Sequence, residues 1–359
     1  MVSKRAYKGV KVNSLDKESL LTVSKAEKAG VLGLDVAKGE IVACMRWQSG
    51  EFERPWSVSN PLEIRTLVEI CQSLIKGGLK LRVAIESTGT YGDCVRMAMT
   101  KANLTVLRVS GKGVSDYREI FDGVPSQHDG KDAAMIAELC EMGKGTPWPY
   151  VVPSEDMAEI AHQVRMMNAL QKEGAQWHGR LEAELARHWP ELSQLVKPSR
   201  SSVLCLLLKY GGPEGVSAGE NVITQILKWS KGQISEAKAN SIVESARRSM
   251  GILMSKQDKQ WLQEISQRIL SAKSGVRTCE RKLRALLEKD AFWSQYLDAV
   301  SAGTLGVILS TIGDPREYSS AGACLKACGL NLKELSSGKR IGEKAITKRG
   351  PAMVRRWLY

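Results

Sequence analysis

Two short, largely apolar runs in the first quarter of the chain each end in a carboxylate. Val31, Leu32 and Leu34 precede Asp35, and a second run over residues 81–85 precedes Glu86. Runs of this length and composition are typical of buried strands inside a sheet. Neighbouring strands of such a sheet end close together, so the pattern predicts an α/β domain with two acids at the ends of adjacent strands.

The residues after Asp35 indicate how this sheet is connected. Ser49-Gly50 separates residues 40–48 from residues 51–58, which predicts a hairpin and three antiparallel strands over residues 30–58. Asn60 and Pro61 then predict a helix start with Asn60 as N-cap. The remaining signals predict strand 80–86, helix 91–102, strand 104–109 and a helix from about residue 128. The predicted order is βββαβαβα.

Asp129 and Asp132 stand three residues apart at the start of the last of these helices. Side chains at this spacing share one helix face. Any one of the four acids alone is more often a solvated residue or a helix cap. Together they favour an all-oxygen site for Mg²⁺ or Mn²⁺, ions that polarise phosphodiesters.

Composition narrows the choice of partners. The 359 residues suffice for two or three domains, and 52 Lys and Arg against 39 Asp and Glu leave a net charge of +13. This excess favours a polyanionic partner, because each neutralised phosphate releases counterions. No apolar run is long enough for a membrane span, so we expect no membrane partner and a cytoplasmic location.

The eight cysteines are scattered through the chain, several of them within apolar stretches. Cys324 and Cys328 lie four residues apart, but no second pair or histidine cluster follows them. This spacing does not fit a zinc site. Reduced, buried thiols are the prediction.

The middle of the chain predicts long helices. A helix start at residues 153–156 precedes apolar residues in steps of three and four up to Leu192, and a similar stripe runs from Trp261 to Leu286. Two such helices predict an antiparallel coiled coil or bundle. The predicted domains are a basic, flexible or weakly helical N-terminal arm (1–28), an α/β domain (29–150), a helical coiled-coil section (151–290) and a small, mainly helical C-terminal domain (291–359).

The last 27 residues carry eight Lys and Arg against two Glu, a net charge of +6. This density suits a phosphate backbone. Within it, Ser336-Ser337-Gly338 predicts a turn with an exposed hydroxyl, although such a serine is structural in most proteins. The predicted nucleic-acid-binding residues are Lys339, Arg340, Lys344, Lys348, Arg349, Arg355 and Arg356.

Four motifs resemble those of the IS110-type insertion-sequence transposases and the related Piv-type DNA invertases. They are GLDVAK around Asp35, AIESTGTYG around Glu86, the pair Asp129/Asp132 followed by Ala133, and the C-terminal stretch GDPREYSSAGACLKACGL with SSGKRIGEKAITKRG. The resemblance spans roughly residues 30–150 and 295–359. It implies a ribonuclease H or RuvC-like domain, and members of this family usually continue for tens of residues beyond KRG, so we expect a truncated C-terminal domain.

The resemblance also implies a chemistry. Asp35, Glu86, Asp129 and Asp132 would hold Mg²⁺ or Mn²⁺, and Ser337, directly before Gly338, would attack DNA and form a phosphoserine link. Ser336 is the fallback nucleophile. The implied partners are donor and target DNA, a structured guide (bridge) RNA from the element itself, and further copies of the chain in a dimer or tetramer.

Three alternatives remain open on the sequence. A Piv-like invertase would use the same residues without a guide RNA. A RuvC-like nuclease would need the four acids but not Ser337, because water would attack. A nucleic-acid-binding protein without turnover would need neither.

Overall fold

The structure is a computed structural model that describes residues 7–86, 89–337 and 340–358. It divides into two compact units, Met1–Val152 and Pro153–Tyr359. Within the described ranges, every helix is too short or too polar to cross a membrane.

The first unit contains a seven-stranded sheet and five α-helices in its described part. In chain order these are β1 (Val10–Lys11), α1 (Lys17–Glu27), β2 (Ala29–Val36), β3 (Glu40–Trp47), β4 (Trp56–Ser59), α2 (Ile64–Lys76), β5 (Lys80–Glu86), α3 (Asp93–Lys101), β6 (Thr105–Val109), α4 (Gly111–Asp122), α5 (Asp129–Leu139) and β7 (Thr146–Pro147).

The strands are arranged in the order β1-β4-β3-β2-β5-β6-β7. Strands β2, β3 and β4 form the predicted antiparallel meander, whereas β2, β5 and β6 pair in parallel. The prediction of an α/β, ribonuclease H-like domain followed by a mainly helical region is confirmed.

Alternation along the strands places the acids on one face of this sheet. Leu32 and Leu34 point into the core that α1, α2 and α3 cover, whereas Val31 packs with α4 and α5 on the other face. Asp35 shares the face of Val31, since side chains two apart point the same way. Leu34 pairs with Ile85, so Asp35 and Glu86 follow at adjacent strand ends.

Gly33 lets α5 lie directly on β2. A Cβ atom at this position would be 2.1 Å from the Ala133 carbonyl oxygen and 2.7 Å from the Ala137 amide nitrogen. Both atoms belong to the backbone of a largely buried helix, so neither can move cheaply. The close approach brings the first turn of α5 to the end of the strand that carries Asp35.

We expect Gly33→Ala to destabilise the first unit by about 1–3 kcal/mol, because the new methyl group overlaps backbone atoms. Gly39→Ala is the matched control, since a Cβ there meets nothing within 4 Å. Urea unfolding of the full chain measures both variants. Equal midpoints for the two would contradict the close packing of α5 on Gly33.

Two local features differ from the sequence-based expectations. The predicted helix start at Asn60 is wrong: α2 begins at Ile64, and the Asn60 side chain instead donates hydrogen bonds to the carbonyls of Ala37 (2.8 Å) and Tyr91 (3.3 Å). The segment predicted as a basic arm contains α1, whose Leu20 is buried in the core beside α2. Asp16 caps α1 through hydrogen bonds to the amides of residues 18 and 19.

The second unit is mainly helical in its described part. Its elements are α6 (Glu155–His188), α7 (Pro190–Leu195), α8 (Ser201–Tyr210), α9 (Pro213–Ala218), α10 (Val222–Ser230), α11 (Glu236–Arg247), α12 (Lys256–Leu287), α13 (Ala291–Ser294), α14 (Ala302–Ile312), α15 (Ala321–Cys328), β8 (Leu332–Ser337), β9 (Arg340–Ile346) and α16 (Ala352–Leu358).

Helices α6 and α12 form the predicted antiparallel pair. Near one end Lys289, just beyond α12, contacts Asp156 at 2.6 Å, and near the other Trp261 donates to Glu184 at 3.1 Å. One core joins the far end of the pair to α7–α11, and another joins its near end to α13–α16. Ser154 is the N-cap of α6, as the sequence predicts.

The cysteines behave as small apolar residues. All eight are free, and those buried are Cys44, Cys71, Cys140, Cys279 and Cys328. Burial raises the pKa of Cys44 and of Cys71 to about 12. Thiols in this state are unreactive at neutral pH, which fits a packing role.

Candidate active site

The first unit brings the four predicted acids into one electrostatic neighbourhood. Asp35 is the next-to-last residue of β2, Glu86 is the last residue of β5, and Asp129 and Asp132 lie in the first turn of α5. Burial, followed by the charges of Asp132, Asp129 and Glu86, raises the pKa of Asp35 to about 7. Burial disfavours the charged form of the carboxyl group, and the nearby negative charges add to that effect.

Glu86 lies between two groups of opposite effect. Burial and the charge of Asp132 raise the pKa of Glu86, and the guanidinium of Arg118 opposes this rise. Glycine at position 111 makes room for the carboxylate, since a Cβ there would be 2.2 Å from Glu86 Oε1. The start of α4 therefore packs directly against this acid.

Arg118 on α4 forms an ion pair with Asp132. Its Nη2 lies 3.2 Å from both Asp132 oxygens, and its Nε lies 3.3 Å from Oδ1. The Asp132 side chain is only 8% exposed, and that of Arg118 is 20% exposed. Burial raises the pKa of Asp132, and Arg118 opposes the rise.

A buried lysine holds the segment between the two helices in place. Lys131 lies between Asp129 and Asp132 in the sequence, and its side chain is fully buried. Its Nζ donates to Asp122 at 2.6 Å and to the carbonyl of Val124. Tyr7 donates to the same Asp122 carboxylate at 3.2 Å. Removing one partner would leave a buried charge uncompensated, so this network fixes the end of α4 against α5.

The donor set suits a hard divalent cation. Four carboxylates offer only oxygen ligands, and the raised pKa of Asp35 reflects negative charge that a cation would neutralise. Among residues 7–86, 89–337 and 340–358, however, no three His, Cys, Asp or Glu side chains form a group that could hold a metal ion as they stand. Arg118 forms an ion pair with Asp132 in this arrangement.

The raised pKa of Asp35 predicts a pH-dependent cost to folding. Protonated Asp35 is favoured in the folded state, so stability is full below the unfolded pKa of 3.8 and declines as the pH rises towards about 7. At pH 8 in EDTA we expect Asp35→Asn to raise the free energy of unfolding by about 1–2 kcal/mol after solvent screening, and therefore to unfold at a higher temperature than the natural chain. The difference should shrink at pH 4.5. Thermal denaturation followed by circular dichroism measures both.

The control for this experiment is Glu119→Gln, which removes an exposed carboxylate from the same unit. It should leave the melting temperature unchanged at either pH. A stabilisation of the Asp35→Asn variant that is equal at pH 4.5 and pH 8 would contradict the electrostatic origin.

The predicted nucleophile lies in the second unit, at the end of a hairpin. Ser337 is the last residue of β8 and pairs with Arg340, the first residue of β9. The pairing register shifts between Leu335 and Ser337, as in a β-bulge. Bulges are common beside active sites, where they redirect a chain. For Ser336 and Ser337 the structure describes the backbone alone.

Some of the predicted nucleic-acid-binding side chains are exposed, whereas others are already hydrogen-bonded within the protein. Lys344, Lys348 and Arg349 are exposed. Arg355 donates instead to the carbonyls of Cys328 (3.3 Å) and Gly350 (2.7 Å), and Arg356 donates to Asn168. Lys339 lies outside the described residues, as does the side chain of Arg340.

Sequence reasoning missed α4 and with it Arg118. Gly111 and Gly113 weaken the helical propensity of this segment, but Val114, Tyr117 and Phe121 follow helical spacing and pack beside α5. That spacing was the available signal. The helix places one arginine against the acids that the sequence had already indicated.

Two family models and one relative match parts of this chain. A transposase family model of the DEDD, IS110 type matches residues 32–190. A second model, for transposases of the IS116/IS110/IS902 family, matches residues 296–359. A relative described as an uncharacterised 43.6 kDa protein of insertion element IS110, from Streptomyces coelicolor, is 22% identical over 286 residues, which are 77% of this chain and 70% of that protein.

The two models belong to one family and together match more than half of the chain. The first covers the segment that contains the four acids, and the second covers the hairpin that contains Ser337. The chain belongs to the IS110 family of transposases.

Proposed function

We propose that this chain cuts and rejoins DNA strands with a divalent cation held by Asp35, Glu86, Asp129 and Asp132, and with Ser337 as nucleophile. Membership of a transposase family supports action on DNA. The observation that supports the metal site is the placement of the acids, with Asp35 and Glu86 near the ends of paired strands and Asp129 and Asp132 in the first turn of α5. Burial and then the charges of the other three acids raise the pKa of Asp35 to about 7. Mg²⁺ and Mn²⁺ are the ions that suit an all-oxygen site on a phosphoryl-transfer enzyme.

The proposed reaction proceeds in two exchanges. The Ser337 hydroxyl attacks phosphorus, the bond from phosphorus to one deoxyribose oxygen breaks, and the DNA becomes esterified to serine. A carboxylate takes the serine proton, because a neutral hydroxyl is a weak nucleophile, and passes it to the leaving deoxyribose oxygen. A deoxyribose hydroxyl of another strand then attacks the same phosphorus, the serine ester breaks, and the proton of that hydroxyl passes to the serine oxygen. A bound divalent ion would supply neutralisation of the charge that develops on the phosphate.

The ester makes an external energy source unnecessary, since each exchange forms one phosphate ester as it breaks another. Strand exchange between two duplexes also needs both to be held at once, so we propose a dimer or tetramer of the chain. About 200 residues separate Asp132 from Ser337 in the sequence, and protomers that exchange these parts would join them into one site.

We also propose that a structured guide RNA from the element selects the donor and target DNA, and that the protein acts in the prokaryotic cytoplasm at the nucleoid. The net charge of +13 supports binding to nucleic acid without indicating which kind. Sequencing the RNA that co-purifies with the protein tests the guide. If that fraction contained random cellular RNA and no enriched RNA from the element, the result would favour the invertase alternative.

The central experiment incubates the purified full chain with its co-purified RNA, Mg²⁺ and a plasmid that carries donor and target sequences. We expect nicked and recombined products with Mg²⁺ or Mn²⁺ and none with EDTA. DNA binding without any strand cleavage under these conditions would favour a nucleic-acid-binding protein without turnover.

The exposed cations of the C-terminal segment should contact phosphates. We expect replacement of Lys344, Lys348 and Arg349 by Gln to weaken DNA binding and to reduce the slope of log K against log salt by about 2–3, or about 0.9 for each lost phosphate contact. Fluorescence anisotropy at several salt concentrations measures this slope.

The matched control replaces Lys228, Lys231 and Lys256, three exposed lysines of the same unit, and removes the same charge. This control should change the slope by less than about 1. If both triple variants reduced the slope equally, the C-terminal cations would contribute only through the overall positive charge of the protein, without specific phosphate contacts.

A further inference from the structure

The ion pair between Arg118 and Asp132 uses both oxygens of a proposed metal ligand. Two guanidinium nitrogens share Oδ1, and Nη2 also lies 3.2 Å from Oδ2. Lys131, the nearest other cation in the sequence, is committed to Asp122 and the carbonyl of Val124. Arg118 is therefore the group that neutralises Asp132 in the structure.

Helix α4, which carries Arg118, packs on the first unit along one face, through Val114, Tyr117 and Phe121. Val114 is its one buried residue, and the Ile120 side chain is 75% exposed. Further contacts lie at its ends, where Gly111 meets Glu86 and Asp122 binds Lys131. Between these ends, Arg118 extends from a partly exposed helix face, and its long side chain can change partner without disturbing a core.

A divalent ion and Arg118 compete for the same oxygens. An ion bound by Asp132 needs the lone pairs that the guanidinium uses, and two cations around one carboxylate repel each other in a poorly solvated site. We propose that Arg118 holds Asp132 until a divalent cation displaces it, and that the released guanidinium then binds a phosphate of the bound nucleic acid. This inference rests on the proposed function of the four acids.

Guanidinium chemistry favours this exchange. The Arg118 guanidinium presents parallel N–H groups that match the oxygens of a carboxylate and of a phosphate. Its charge already acts on Glu86 as well as Asp132, so it lies within the acidic neighbourhood. Metal binding and phosphate binding would then favour each other, because each one removes an obstacle to the other.

The test measures binding of Mn²⁺ alone to the full chain, with free Mn²⁺ quantified by electron paramagnetic resonance. We expect Arg118→Met to lower the Mn²⁺ dissociation constant about tenfold, the change that corresponds to one lost charge-assisted contact. Lys112→Met, which removes an exposed charge from the same helix, should change it by less than about twofold. An equal effect of the two variants, or no effect of Arg118→Met, would overturn the proposal.

A second measurement addresses the phosphate. Mn²⁺ should tighten binding of a DNA duplex to the natural chain by more than it does for Arg118→Met, whose side chain offers no phosphate contact. Arg118→Lys keeps a cation beside Asp132 and so protects folding. We expect this variant to bind Mn²⁺ about two- to threefold more tightly than the natural chain, because an ammonium group lacks the paired N–H groups with which a guanidinium holds both carboxylate oxygens. An identical gain from Mn²⁺ in all three proteins would overturn the exchange.

Asp35→Asn separates this inference from the proposed function. If the natural chain binds Mn²⁺ in a way that Asp35→Asn abolishes, the metal site stands, and the arginine variants then decide the role of Arg118. If Mn²⁺ binding does not depend on Asp35, the metal site itself is wrong and the inference fails with it.

Discussion

Asp35→Asn should reduce DNA strand cleavage by about 10³-fold or more while leaving nucleic-acid binding within about twofold of the natural chain. The amide keeps the size of the side chain but removes the negative charge through which Asp35 would bind the cation. It also removes the cost of burying a charged carboxylate beside other acids, the two causes that raise the pKa of Asp35 to about 7, so the variant should be at least as stable as the natural chain. Loss of cleavage therefore cannot be attributed to unfolding.

Quantitative gel analysis of plasmid cleavage and fluorescence anisotropy of DNA binding measure the two quantities. Glu119→Gln, an exposed position on α4, is the control and should cleave normally. Asp129→Asn should resemble Asp35→Asn. Cleavage by Asp35→Asn at a rate near that of the natural chain would refute the assignment of the four acids.

Ser337→Ala should abolish the covalent protein–DNA adduct. The alanine side chain has no oxygen to form an ester with phosphorus, so neither the adduct nor strand exchange can follow. A radiolabelled, nicked DNA substrate traps the adduct, which denaturing gel electrophoresis then detects as a shift of the protein band. Binding of DNA should remain, since the variant keeps every cation of the C-terminal segment.

Ser336→Ala is the neighbouring control, and it should form the adduct normally. An adduct that survives Ser337→Ala but not Ser336→Ala would move the nucleophile by one residue. Cleavage that survives both changes but requires Asp35 would identify a nuclease in which water attacks.

The positions of Asp35 and Glu86 were predictable because a strand is recognised from a few consecutive residues, and each acid directly follows such a run. Asp35 and Glu86 each end an apolar run, and the parallel pairing of those runs follows from the order of the elements. The long pair α6 and α12 was equally accessible, since a stripe repeated over many turns survives errors at its ends. These features depend on residues close together in the chain.

What the sequence did not predict depends on contacts between distant segments. Asn60 and Pro61 have the composition of a helix start, but Asn60 donates to carbonyls from two other segments and α2 begins four residues later. Arg118 is one of many cations in the sequence. Its position beside Asp132 depends on how α4 returns over α5, which no local pattern encodes.

The length of α6 determines a distance within the second unit. A straight α-helix of 34 residues is about 51 Å long, equal to about 15 base-pair steps of duplex DNA. Because α12 runs alongside α6 in the opposite direction, the helix pair resists bending. It separates α7–α11 from the end of the unit that carries the hairpin by about one and a half turns of a DNA double helix. A nucleic acid in contact with both ends would meet them at a fixed separation. Its grooves would therefore face the protein with a defined rotation at each end.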